Sequence, residues 1–331
     1  MTVAVAPRLE SLLEVNFTGP GKGRISFGRM TFAHTHWELP EGGYAGSQAS
    51  FHEDRSGRGQ SARLMAPAAV SVSNATAVRF GKCRFEHLGG AGVLLGRGCV
   101  DCGLGFCTFR DIGANGVMIG DTAAQPPAGQ TPSRNYVGRT LFEHCCQTDY
   151  GAVGIWVGIA ERTEINRNEL RYLPYTGISV GWRWNTAPTA CRDNVIELNH
   201  IHHVLQLMSD GGGIYTLGRQ PGTRLVRNRI HDIPVNLGRA ESNGIFMDEG
   251  SSEMVVEENT IYNIERSPIR FHRAQDNTLR RNTLVTRPGV APIAYNNAQA
   301  DTMTMEANQA IEAADWKPGR GDPAARAGID N

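Results

Sequence analysis

The chain has no charge excess of either sign, because 33 Lys and Arg balance 33 Asp and Glu across 331 residues. That removes the general electrostatic reason to expect nucleic acid or an anionic membrane as a partner. There is no run of 18 apolar residues and no basic-then-apolar leader at Met1, so neither a membrane-crossing segment nor an export signal is expected. A removed leader leaves no trace, so the compartment stays open. The seven cysteines are odd in number and lack the paired spacing of a disulfide framework. Cys99 and Cys102 form a CxxC without the second pair of a zinc ribbon, and neither HExxH nor a DxDxDG loop occurs. No metal or other cofactor is expected, and most of the cysteines read as small core residues.

Aromatics make up only 7% of the chain, whereas glycine reaches 39 residues and hydrophobic residues 40%. This combination suits a large core built from strands and many turns. Seven related phrases then organise the sequence. They begin at Phe85, Phe109, Phe142, Leu170, Ile201, Ile230 and Ile261, so successive starts are 24, 33, 28, 31, 29 and 31 apart. Two residues before each stand Cys83, Cys107, Thr140, Asn168, Asn199, Asn228 and Asn259, with Asn282 before a further turn at Leu284. Asparagines stacked at one corner can hydrogen-bond to one another and to turn backbone.

The units alternate like strands and are separated by Gly, Asn and Pro, with none of the 3.6-residue patterning of helical repeats. The fold class expected is all-β, a right-handed parallel β-helix whose coils stack ~4.8 Å apart. It is expected to occupy residues 1–297. Residues 298–331 lose the pattern and read as a C-terminal extension, partly helical or mobile. Near the N-terminus, RLESLLEVN fits either a capping amphipathic helix through Leu9, Leu12 and Leu13 or a buried strand.

Alignment of the glycine-led strands assigns faces, because side chains alternate along a strand. Val93, Val117, Ile155, Ile178, Ile214, Ile245 and Ile269 should point inward, and Leu94, Met118, Trp156, Ser179, Tyr215, Phe246 and Arg270 outward. Two residues further on, the outward column reads Gly96, Gly120, Gly158, Gly181, Leu217, Asp248 and His272. Four glycines leaving room thus give way to an acid and an imidazole. Trp182 and Trp184 follow Gly181, so exposed rings are expected to line a shallow groove suited to a sugar, with Trp156, Trp182, Trp184, Tyr215, Phe246, Arg270 and His272 as substrate-binding candidates. His203 falls in a corner column with His87, Asp111, His144, Tyr172, Asp232 and Asn263, which reads as turn architecture.

The segments SDGGGIYTLGRQPGT (209–223), NRIHDI after it, GIFMDEGSSEMVVEENTIYNI (244–264) and HTHWELPEGGYAGSQA (34–49) resemble the β-helix glycoside hydrolases of family 141. The likeness runs from about residue 15 to 297. It implies action on plant cell-wall glycans, with fucosidase and xylanase activities associated with the family, and an aspartate pair that falls here on Asp210 and Asp248. It also suggests a secreted or periplasmic setting. A long N-terminal portion expected in full-length members is missing here.

Glycosidic cleavage generally needs two carboxyl groups ~5 to 9.5 Å apart, one protonated and one ionised. Asp210 precedes Gly213 by three residues, and Asp248 follows Gly244 by four. Straight strands would therefore separate them by seven residues, or ~23 Å. Positive φ angles at Gly211, Gly212 and Gly213 offer a way to fold Asp210 back over the groove. Otherwise Asp210 caps a loop, and Glu249 or another acid takes its place. Two rival readings stand beside an oligo- or polysaccharide hydrolase. One is a polysaccharide lyase using Arg270, Arg273 or Arg183, and the other a non-catalytic glycan-binding β-helix.

Overall fold

The computed structural model describes residues 4–18, 23–39, 48–53, 63–234, 236, 238, 240–317, 319, 322 and 324–329. Three parallel sheets of ten strands each run the length of the molecule, and the chain visits them in turn. One complete coil is Gly211–Thr216, Arg224–Val226 and Arg229–Ile233. The chain is a right-handed parallel β-helix. Between the last two strands of a coil lie only two residues, and the first of them takes a left-handed backbone, as at Arg227 (φ 52°).

The second residue of that corner is the asparagine. Asn168 donates from Nδ2 to Asn199 Oδ1 at 2.9 Å, and Asn199 to Asn228, Asn228 to Asn259 and Asn259 to Asn282 each at 3.0 Å. Each amide also receives the backbone N–H of the preceding asparagine, so these fully buried groups are satisfied. The same column continues upward as Thr140, Cys107 and Cys83. Inside the coils, Phe32, Phe85, Phe109 and Phe142 stack with centroids 5.0, 4.4 and 4.8 Å apart. All seven cysteines are buried free thiols.

The ends differ from the sequence expectation. Leu13–Asn16 is a strand paired in parallel with Val70–Ser73, so a strand forms there in place of a helix, but only Val15 of it is buried, and Leu9 and Leu12 are exposed. At the other end, Thr304–Glu306 and Gln309–Glu312 add further strands to the second and third sheets. Asn308 accepts from Asn282 Nδ2 at 2.8 Å, which extends the ladder past Asn297. The only helical piece among the described residues after Asn297 is the 3₁₀ turn Ala300–Thr302.

Candidate active site

The first sheet carries the predicted columns in register. Ile214, Ile245 and Ile269 pair inward, while Tyr215, Phe246 and Arg270 pair on the other face. Leu217, Asp248 and His272 therefore stand at the same height of successive coils. Asp248 directly follows the strand Ser242–Met247, with its amide on Thr216 O at 3.0 Å. Its Oδ2 accepts from the Tyr215 hydroxyl at 2.5 Å, and its Oδ1 lies 2.6 Å from His272 Nδ1.

Asp210 is itself left-handed, with φ 62°. Its carbonyl accepts from the Tyr175 hydroxyl at 2.8 Å, and its amide bonds to Glu241 O at 2.9 Å. The side chain is 66% exposed, with Oδ1 3.5 Å from Arg270 Nη1. Arg270 is mostly buried, stands 4.4 Å over the Phe246 ring, and brings Nε to 3.6 Å from Glu241 Oε2. Asp210 and Asp248 are thus tethered to Arg270 and His272, two positions on one strand and one face, ~7 Å apart. Burial first, and then the charges of Asp210 and Asp248, push the Tyr175 phenol above its ordinary pKa. Burial and the Asp248 carboxylate do the same to Tyr215.

The glycines act differently from the expectation. Gly211–Gly213 lie within the strand Gly211–Thr216, and the left-handed residue is Asp210 before them. The ladder pairs Gly211 with Ser242 and Gly212 with Asn243, then resumes at Ile214 with Ile245. A Cβ on Gly212 would stand 2.5 Å from the Ile214 carbonyl oxygen, which marks a sharp bend in the strand. One on Gly211 would meet Thr176 Oγ1 at 2.5 Å and Tyr175 Cε2 at 2.8 Å. The run is side-chain-free because the bend and its neighbours fill that space.

The aromatic platform is also corrected. Trp156, Trp182, Tyr215 and Phe246 are buried, and Trp184 is partly buried against Tyr215, Leu217 and Phe246. The cover comes from the segment around Gln48–Phe51, where Phe51 packs 4.9 Å from Trp156 and 4.7 Å from Trp182. Gln48 also reaches the Tyr215 side chain. The glycine column does not leave general room: a Cβ on Gly158 would strike the Trp156 ring at 2.3 Å, and one on Gly181 the Leu217 carbonyl at 2.0 Å. Open space remains further up the stack, in a cleft of about 410 Å³ lined by Phe51, Met65, Leu94, Gly96, Asp121 and Trp156 among others.

Glu249, next to Asp248 in the chain, has its carboxylate 2.8 Å from Arg273 Nη1. Tyr175 and Glu241 belong to the cluster and escaped the sequence reading. Tyr175 immediately precedes the Thr176-Gly177 step of its repeat phrase, so its closeness to a glycine anchor was the available signal. Glu241 had none. The corner column is turn architecture, with φ 55° at His87, 55° at Asp111, 52° at His203 and 56° at Asp232. Residues 40–47 of the segment 34–49 lie outside the described residues.

Residues 153–316 match the family model described as right handed beta helix region. No curated protein matches the sequence. Among solved structures, one named glycoside hydrolase superposes with a TM-score of 0.74 at 24% identity, over 98% of this chain and 53% of its own. The chain therefore spans about half the length of that protein. The lacto-N-biosidase of glycoside hydrolase family 136 from Eubacterium ramulus gives a TM-score of 0.57 at 10% identity, over 92% of this chain and 60% of its own. PfbA, a surface adhesin of Streptococcus pneumoniae, gives 0.54 at 11%, over 87% and 70%. The likeness is one of fold: a right-handed β-helix shared with proteins named for glycan hydrolysis and for adhesion.

Proposed function

We propose that this chain is a glycoside hydrolase acting on a plant cell-wall-type glycan, a fucoside or a xylan-like chain, with Asp210 and Asp248 as its carboxyl pair. The observation that carries the reading is their anchoring to Arg270 and His272 on a single strand. Asp248 has both oxygens engaged, by Tyr215 and His272, and is held in one orientation. Asp210 is largely exposed, with one long contact to Arg270, and is the carboxyl free to meet a glycosidic oxygen or a water. One protonated and one ionised carboxyl then supply the acid and base that bond cleavage requires. Arg270 is already committed to Asp210, Glu241 and the Phe246 ring, which disfavours it as the base of a lyase.

The test is hydrolysis of aryl fucosides, aryl xylosides, xylan and pectic oligosaccharides by the parent, Asp210→Asn and Asp248→Asn. Turnover that falls by ~10²–10⁴ in each variant, with folding intact, supports the pair. A parent that binds glycans and turns none over removes the hydrolase reading in favour of a recognition surface. A product with a new near-ultraviolet chromophore indicates elimination.

A further inference from the structure

On the third sheet, away from Asp210 and Asp248, two imidazoles and a carboxylate converge, with a third imidazole beside them. Glu169 is in register with His200 of the next coil, and His202 with His231 of the coil after. His200 and His202 are two apart on one strand and share a face, so the four side chains form two adjacent columns. A carboxylate oxygen of Glu169 and ring nitrogens of His200 and His202 all lie within 4.8 Å of one another. His231 Nε2 stands 2.7 Å from His200 Nε2, and His202 Nε2 is 3.5 Å from Glu169 Oε1.

The far sides of two rings are held by other residues. Asp232 Oδ2 lies 2.8 Å from His231 Nδ1, and His203 Nδ1 lies 2.8 Å from His202 Nδ1. Both rings therefore turn Nε2 toward the middle of the cluster, the arrangement by which outer groups orient metal-ligating histidines. We propose that Glu169, His200, His202 and His231 form a binding site for a divalent transition-metal ion of the zinc type. Three neutral imidazoles and one carboxylate match the ligands, number and charge that such an ion takes in a four-coordinate site. With Asp232 holding the His231 proton on Nδ1, His200 donates from Nε2 in the metal-free chain. An ion replaces that proton, which moves to His200 Nδ1. Arg171, 2.7 Å from Glu169 Oε1, and Arg229 oppose the added charge, while Glu143, 2.8 Å from Arg171, and Asp232 offset it.

The location gives the ion a structural role. Gly328 packs beside His200 with its amide on Leu198 O at 2.9 Å, and the Trp316 ring lies 4.3 Å from that of Tyr262, tilted by 34°, Tyr262 being the residue in register with His231. An ion with four protein ligands would brace the coils on which this returning C-terminal segment rests.

The experiment uses the full chain stripped with a chelator, titrated with Zn²⁺ by calorimetry and with Co²⁺ by visible absorption. One ion per chain, a raised thermal midpoint and the intense bands of four-coordinate Co²⁺ are expected. The double variant His202→Ala, His231→Ala should lose all three signals, and Asp232→Asn should bind ~10–100-fold more weakly. His87→Ala, at an exposed corner of the same sheet, should bind as the parent does. No saturable binding by the parent, or undiminished binding by the double variant, overturns the site. The parent titration depends on no variant folding, and none of these readouts depends on hydrolysis.

Discussion

Tyr215 and Asp248, one coil apart, are joined by a 2.5 Å hydrogen bond in which the phenol donates to the carboxylate. Because burial and the Asp248 charge raise the Tyr215 pKa, the phenol remains a donor across the neutral range. Tyr215→Phe removes the donor and keeps the packing against Phe246. If Asp248 does chemistry, kcat should fall by ~10-fold or more with KM little changed, because the carboxylate loses orientation. Steady-state kinetics on the best substrate reads this. A change confined to KM would assign Tyr215 to substrate binding instead.

Gly211→Ala should disturb the site through Tyr175. The added methyl meets Thr176 Oγ1 and Tyr175 Cε2, and Tyr175 holds the Asp210 carbonyl. Overpacking of this kind costs about 1–3 kcal/mol. The expected outcome is a modest loss in denaturant midpoint together with an activity loss larger than the unfolded fraction explains.

Asn228→Ala removes the acceptor for the Asn199 backbone and side-chain N–H groups and the donor to Ile196 O. Leaving several buried groups unpaired should cost roughly 3 kcal/mol or more. Asn308→Ala, at the partly exposed end of the same ladder, should cost about 1 kcal/mol. Urea unfolding of the two variants tests the ordering.

Acid sensitivity should centre in part on Glu257. Burial alone would raise its pKa, but hydrogen bonds with Arg280, at 2.6 Å, and Arg224 bring it below the ordinary 4.5. A depressed folded value means the stabilisation is complete above the unfolded pKa and is lost as pH falls through the folded one. Glu257→Gln should therefore lower stability at neutral pH and flatten its decline below ~4.5. Thermal midpoints from pH 7 down to 3 would show parallel curves if Glu257 has no such part.

The repeat was legible because each coil repeats the same burial problem. Ile214, Ile245 and Ile269, or Asn199, Asn228 and Asn259, solve it identically, so the columns share one register in the sequence. Asn308, 26 residues after Asn282, belonged to that pattern, but its coil is largely exposed and lacks the apolar alternation that marked the others. The site was only half legible. Asp210 contacts Arg270 and Tyr175 beside a bend at Gly212, and Asp248 contacts Tyr215 and His272, contacts that occur once and have no period. The burial of Trp156 and Trp182 depends on Phe51, more than a hundred residues earlier. No feature of the tryptophan column announces that cover.

The corner amides and the interior phenyl rings divide the rod between them. Up to Phe142 the interior column is aromatic and the corner holds Cys83, Cys107 and Thr140. From Leu170 onward that same column is aliphatic, through Ile201, Ile230 and Ile261, and the corner is asparagine. Apolar contact weakens on cooling in both halves, but only the C-terminal half also carries the unbroken amide chain, which does not draw on that source. On chilling, amide exchange should accelerate first toward the N-terminal coils, so the molecule would loosen from one end with the candidate active site in the half that stays closed.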